Sequence, residues 1–101
     1  MALALSLGLG LLACGGAHAQ SCPWDPQLVS AAAKPVTPQA IERLPPDLNV
    51  KEIVARLGPA AREVGSGVYV LRWDLTNGQM FSVSATSPCA LPMARGLLKK
   101  N

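Results

Sequence analysis

Residues 68–86, VYVLRWDLTNGQMFSVSAT, constrain the fold most, because they hold two apolar-rich runs joined by Asn-Gly. Apolar side chains occupy alternate positions in both runs: Tyr69, Leu71, Trp73 and Leu75, then Phe81, Val83 and Ala85. Alternation of this kind predicts half-buried strands. An Asn-Gly dipeptide between two such runs predicts a β-hairpin.

The length of the hairpin loop decides which side chains share a face of the sheet. A two-residue loop would pair Trp73 with Ser82 and place Phe81 on the opposite face. A three-residue loop, 76–78, pairs Trp73 with Phe81 and collects the large apolar side chains on one face. Because burying each of these side chains is worth roughly 1.5–3 kcal/mol, we predict the three-residue loop. Gly78 then takes the left-handed position of a G1 bulge.

The stretch 47–60, DLNVKEIVARLGPA, predicts one short helix. Asn49 and Glu52 have the spacing of a capping box, and Gly58 followed by Pro59 predicts the end of the helix. Four apolar residues recur at the spacing of one helical face: Val50, Ile53, Val54 and Leu57. Since so short a helix needs tertiary packing, we expect this stripe to lie on the apolar face of the hairpin.

The remaining segments complete a predicted α+β fold. Residues 90–98 predict a third strand, which Pro92 restricts to the edge because proline cannot donate to a strand ladder. Residues 20–46 hold six of the nine prolines and predict an extended linker with a short helical turn at 39–43. The predicted small α+β domain is 47–101: one short capped helix packed on an antiparallel β-hairpin with a third edge strand.

Residues 1–19 have the layout of a secretory signal peptide. An apolar run at 2–13 is too short to cross a bilayer, and a small-x-small cleavage signal, Ala-His-Ala, ends at Ala19. This predicts a periplasmic or secreted protein. The segment 11–15, LLACG, also resembles a bacterial lipobox, in which Cys14 is lipidated and anchors the protein to the outer membrane. The sequence leaves both routes open.

Either route leaves two free cysteines, Cys22 and Cys89. In an oxidising compartment two cysteines in a short chain predict one disulfide. Closing so long a loop would stabilise the fold by about 4 kcal/mol. This matters because a mature chain of about 80 residues builds only a marginal core.

The composition excludes several classes of function. The single histidine, His18, lies beside the cleavage site, so a zinc site or a histidine-assisted nucleophile is not expected. The net charge is +3, but the basic residues are scattered and the chain has only four aromatic residues, so a nucleic-acid partner is not expected. We therefore predict a non-enzymatic protein without catalytic residues, metal or cofactor.

The outward face of the hairpin is the predicted binding surface. It is expected to present five residues: Val68, Val70, Arg72, Asp74 and Met80. An exposed apolar patch rimmed by charge is typical of a surface that binds another protein.

Three motifs between residues 48 and 86 carry a family resemblance: Leu57-Gly58-Pro59, Gly65-Ser66-Gly67-Val68-Tyr69 and Trp73-Asp74-Leu75-Thr76-Asn77-Gly78. In this order they resemble the repeat unit of β-lactamase-inhibitory-protein-like domains and are similar to small outer-membrane lipoproteins of the β-barrel assembly machinery. The resemblance implies a non-catalytic, protein-binding α+β module outside the cytoplasm. Its partner would be another exported or envelope protein, and a membrane would be involved only if Cys14 is lipidated.

Overall fold

The structure, a computed structural model, describes residues 22–99. The predicted signal peptide 1–19, with Cys14, lies outside the described residues. The elements in chain order are a 3-10 turn (Pro26–Leu28), α1 (Pro38–Glu42), α2 (Val50–Leu57), β1 (Arg62–Glu63), β2 (Tyr69–Asp74), β3 (Gln79–Ala85) and β4 (Ala94–Lys99). The strands form one antiparallel sheet in the order β1-β2-β3-β4, so the protein is α+β, as predicted.

The hairpin of β2 and β3 has the register of the three-residue loop. Trp73 pairs with Phe81, and the Leu75 amide donates to the Gln79 carbonyl at 2.9 Å. Gly78 has a φ of +89°, as the bulge requires. Six side chains on one face of the hairpin are buried: Leu71, Trp73, Leu75, Phe81, Val83 and Ala85. The prediction is confirmed, and apolar burial rather than turn preference accounts for the register.

Helix α2 packs its apolar stripe against that buried face. The capping box is complete, since the Asn49 side chain accepts from the Glu52 amide at 2.8 Å and the Glu52 carboxylate accepts from the Asn49 amide at 2.9 Å. Val50 and Ile53 are 1% and 0% exposed. The helix ends at Leu57, and Gly58 caps it with a φ of +88°. The helix is therefore fixed at its start by its own cap and along its length by the sheet.

The described part of the predicted linker, residues 22–46, packs on the domain instead of standing apart from it. Leu28 and Leu44 belong to the buried core. Two isolated bridges extend the contact: Val29 with Ala60, and Val36 with Leu75. Prolines stiffen this segment without preventing its apolar residues from covering core that one helix and one hairpin leave open.

A disulfide between Cys22 and Cys89 joins the start of the described chain to the loop between β3 and β4, with the two Cα atoms 5.6 Å apart. It confirms the predicted pairing. Beside it, the Trp24 ring stacks on Tyr69 with the ring centroids 4.6 Å apart.

The third strand predicted for the edge of the sheet is also present. It is β4, which pairs with β3 along its whole length.

A close approach of the backbone requires glycine at position 65. A Cβ there would collide with the Val68 carbonyl oxygen and lie 2.8 Å from both the Glu63 carboxylate and the Val70 nitrogen. We expect Gly65→Ala to lower the free energy of unfolding by about 1–3 kcal/mol in urea denaturation. Gly96→Ala is the matched control, because a Cβ at Gly96 meets no atom within 4 Å. Equal stabilities for the two variants would contradict this account.

Candidate functional site

The side of the sheet opposite α2, called the outer face below, carries the candidate site. Side chains alternate along a strand, and residues paired across strands share a face. The pairings place one row of side chains across all four strands at the middle of the outer face: Arg62, Arg72, Ser82 and Gly96. This central row therefore begins with two arginines and ends with two small residues.

Two further rows flank the central row. One runs from Val70 through Ser84 to Ala94, and the other from Asp74 through Met80 to Leu98. Leu98 is 39% exposed, although it is a large apolar residue. The outer face thus has apolar side chains on either side of a polar middle, which is the composition expected of a protein-binding patch.

The small residues of β3 and β4 leave a shallow depression in the outer face. Its volume is about 270 Å³. Six residues line it: Ser82, Ser84, Ala94, Arg95, Gly96 and Leu98. The depression adjoins the middle of the sheet, because Ser82 is the cross-strand neighbour of Arg72.

An ion pair fixes one end of the outer face. The Arg62 guanidinium donates to the two Asp74 carboxylate oxygens at 2.7 and 3.4 Å, and it also lies 3.1 Å from the Met80 sulfur. The hydrogen bond to Asp74 raises the pKa of Arg62 above its ordinary value, against the opposing effect of burial. The Asp74 charge is therefore compensated within the fold.

Arg72 has no such partner in the part of the chain that the structure describes. Its Nε is buried and meets no hydrogen-bond acceptor there, and its guanidinium forms no ion pair with a described residue. Its cross-strand neighbour on β1 is the like-charged Arg62. The middle of the outer face therefore carries one positive charge that residues 22–99 do not compensate.

The structure brings together four of the five residues predicted for the binding surface. Val70, Arg72, Asp74 and Met80 share the outer face. Val68 precedes β2 and lines a different cavity, of about 290 Å³, near Glu63 and Tyr69. Sequence reasoning missed the contribution of β4, because Ala94, Gly96 and Leu98 are not marked out by an alternating pattern in the sequence.

The acidic residues of the described chain serve structural roles in several places. Asp25 and Glu52 cap the 3-10 turn and α2, and Glu63 accepts the amides of Gly65 and Val70 at 2.7 and 3.0 Å. Among residues 22–99 there is no group of three or more His, Cys, Asp and Glu residues that could hold a metal ion.

Within the same range, no helix has the length and apolar character needed to span a bilayer. Comparisons with protein-family models, with curated proteins and with solved structures find no match to this chain.

Proposed function

We propose that this protein is an exported, non-catalytic module that binds another exported or envelope protein through the outer face of its sheet. The observation that carries the proposal is the composition of that face. Apolar residues flank a polar middle on the side of the sheet that does not carry the helix, and one arginine there has no partner among the described residues. A face with this mixture gains from contact with a complementary surface.

The disulfide supports the proposed location outside the cytoplasm. Disulfides persist in oxidising compartments and are rare where thiols are kept reduced. The Cys22–Cys89 bond joins two distant parts of the fold. The signal-peptide pattern of residues 1–19 and the resemblance to exported protein-binding modules point to the same location.

A pair of charged substitutions tests the outer face as the binding surface. We expect Val70→Asp with Met80→Asp to abolish capture of the partner from an envelope extract, because two carboxylates would enter the apolar rows. Gln39→Asp with Ala55→Asp is the matched control, since both residues are exposed on α1 and α2 and the added charge is the same. The control variant should capture the same protein as the unmodified chain, and unchanged capture by the outer-face variant would reject this surface.

The alternative function, a lipid-anchored structural lipoprotein, depends on the Leu-Leu-Ala-Cys-Gly sequence that contains Cys14. Labelled palmitate would be incorporated into the protein and lost in Cys14→Ser. Mass spectrometry of the mature N-terminus separates the two routes, because simple secretion leaves Gln20 as the first residue and lipidation leaves a modified cysteine. An unmodified Gln20 terminus would exclude the anchor.

A further inference from the structure

We propose that the outer face recognises a carboxylate of its partner and that Arg72 binds it. The inference rests on the proposed function and names the chemistry of the partner: an extended acidic segment of another exported protein, with apolar residues beside the acidic ones. Three features of the outer face support it, and each concerns a different property: the state of the Arg72 guanidinium, the space next to it, and the distribution of charge.

The Arg72 guanidinium has unmet bonding capacity. Its Nε–H is buried and has no acceptor among residues 22–99, which is a costly arrangement for a charged group. Arg72 as a whole is only half-buried, so the outer part of its side chain is accessible to a partner. The Asp74 carboxylate, on the same strand and the same face as Arg72, is paired with the Arg62 guanidinium at 2.7 Å. A carboxylate from outside would therefore meet a guanidinium that has no competing anion among the described residues.

The space for that carboxylate lies toward β4. Next to Arg72 in the central row come Ser82 and then Gly96, and neither has a long side chain. A Cβ placed on Gly96 would meet nothing within 4 Å. The depression there is also lined by Ser84, so two hydroxyl groups are at hand as further donors. The depression therefore offers an acidic side chain room beside Ser82, the cross-strand neighbour of Arg72.

The distribution of charge on the outer face favours a protein carboxylate, rather than an anionic lipid surface, as its ligand. Polybasic segments bind such surfaces through several exposed Lys or Arg side chains. The outer face in the described chain has two arginines, and Arg62 is already paired with Asp74. Val70 on one side and Met80 with Leu98 on the other suit apolar side chains two residues before and two residues after an acidic one, on the same face of an extended segment.

The test is a titration of the isotope-labelled full chain with a defined probe, followed by two-dimensional NMR. The probe is a blocked peptide that repeats Val-Ser-Glu-Ser, so that Val and Glu alternate along one face of the extended chain, and its control has Gln in place of each Glu. We expect the Glu peptide to shift the Arg72 Nε–H signal and the amide signals of Ser82 and Gly96. Arg72→Gln should weaken binding roughly 10- to 100-fold, the loss expected for one charge-assisted pair. Arg56→Gln, on the exposed side of α2, is the matched control and should leave affinity unchanged.

Two further variants separate this site from general attraction to a basic protein. Arg72→Lys keeps the charge but loses the planar fork of the guanidinium, so it should bind the Glu peptide more weakly than the unmodified chain does. Gly96→Val adds a side chain in the depression, at a position where a Cβ has no atom within 4 Å, so it should keep the stability of the fold while weakening binding of the Glu peptide. Full affinity in either variant would overturn the proposal.

Three further results of the titration would contradict the proposal. Equal binding of the Gln peptide, no shift at millimolar Glu peptide, or binding to phosphatidylglycerol vesicles in preference to the peptide would each overturn recognition of a carboxylate. The partner-capture experiment distinguishes this failure from failure of the proposed function. If Val70→Asp with Met80→Asp loses the partner while Arg72→Gln keeps it, the outer face is the binding surface and Arg72 is not its anchor.

Discussion

Replacing both cysteines of the Cys22–Cys89 disulfide with serine is expected to lower the free energy of unfolding by about 4 kcal/mol. The two residues are 67 positions apart, so the bond removes much of the conformational freedom of the unfolded chain. A folded domain of this size has only about 4–12 kcal/mol of stability in total. We therefore expect urea denaturation to show a variant that is close to unfolded without denaturant.

The effect should also be visible in the folded protein near the N-terminal end of the described chain. The disulfide lies two residues before Trp24, whose ring stacks on Tyr69, and Leu28 follows in the core. Without the bond this segment is held by its bridges and apolar contacts alone. Hydrogen exchange should speed up first at the Ala60 amide, which donates to the Leu28 carbonyl at 2.9 Å.

A reductant supplies the control for this prediction. Dithiothreitol should bring the stability of the unmodified protein down to that of the Cys22→Ser, Cys89→Ser variant and should leave the variant itself unchanged. A variant within about 1 kcal/mol of the unmodified protein would contradict the prediction, because the loop-closure contribution would then be mostly absent.

The hairpin and α2 could be predicted because their signals are local and agree with each other. The register of Trp73 against Phe81 follows from alternation and loop length, which are both readable in one short stretch. The capping box of Asn49 and Glu52 is a pattern of neighbouring residues in the same way. Where the local rules and the burial of apolar side chains point to one answer, the sequence is sufficient.

The packing of residues 22–46 on the core could not be predicted, because its contacts are not local in the sequence. Val29 meets Ala60 and Val36 meets Leu75 through single bridges between segments far apart in the sequence. A single bridge leaves no periodic pattern, and six prolines in the same segment favour an extended linker. Strand β1, Arg62–Glu63, was missed because two residues are too few to show alternation.

The candidate site could be predicted in part. The shared face of Val70, Arg72, Asp74 and Met80 follows from the alternation of the hairpin alone. That Arg62 rather than Arg72 holds Asp74 depends on the pairing of β1, which the sequence does not reveal. The depression next to Ser82 depends in turn on the register of β4, so it too is a tertiary feature.

Trp73→Ala is the second variant with a large expected effect, a loss of about 3–5 kcal/mol in the free energy of unfolding. Trp73 is 1% exposed, and its ring centroid lies 5.7 Å from that of Phe81. Its indole N–H also donates to the Gly58 carbonyl at 2.9 Å, which ties the end of α2 to the sheet. The substitution would therefore both leave a cavity in the core and remove the hydrogen bond that holds the end of α2.

Two companion variants keep this prediction testable if Trp73→Ala does not fold. Trp73→Phe retains an aromatic ring and loses the hydrogen bond to Gly58, so it should cost less than Trp73→Ala but more than about 1 kcal/mol in urea denaturation. Val70→Ala, on the outer face of the same strand, should cost no more than about 1 kcal/mol because Val70 lies outside the buried core. Equal losses for Trp73→Phe and Val70→Ala would mean that the two faces of β2 are buried alike, which contradicts packing of α2 on one face alone.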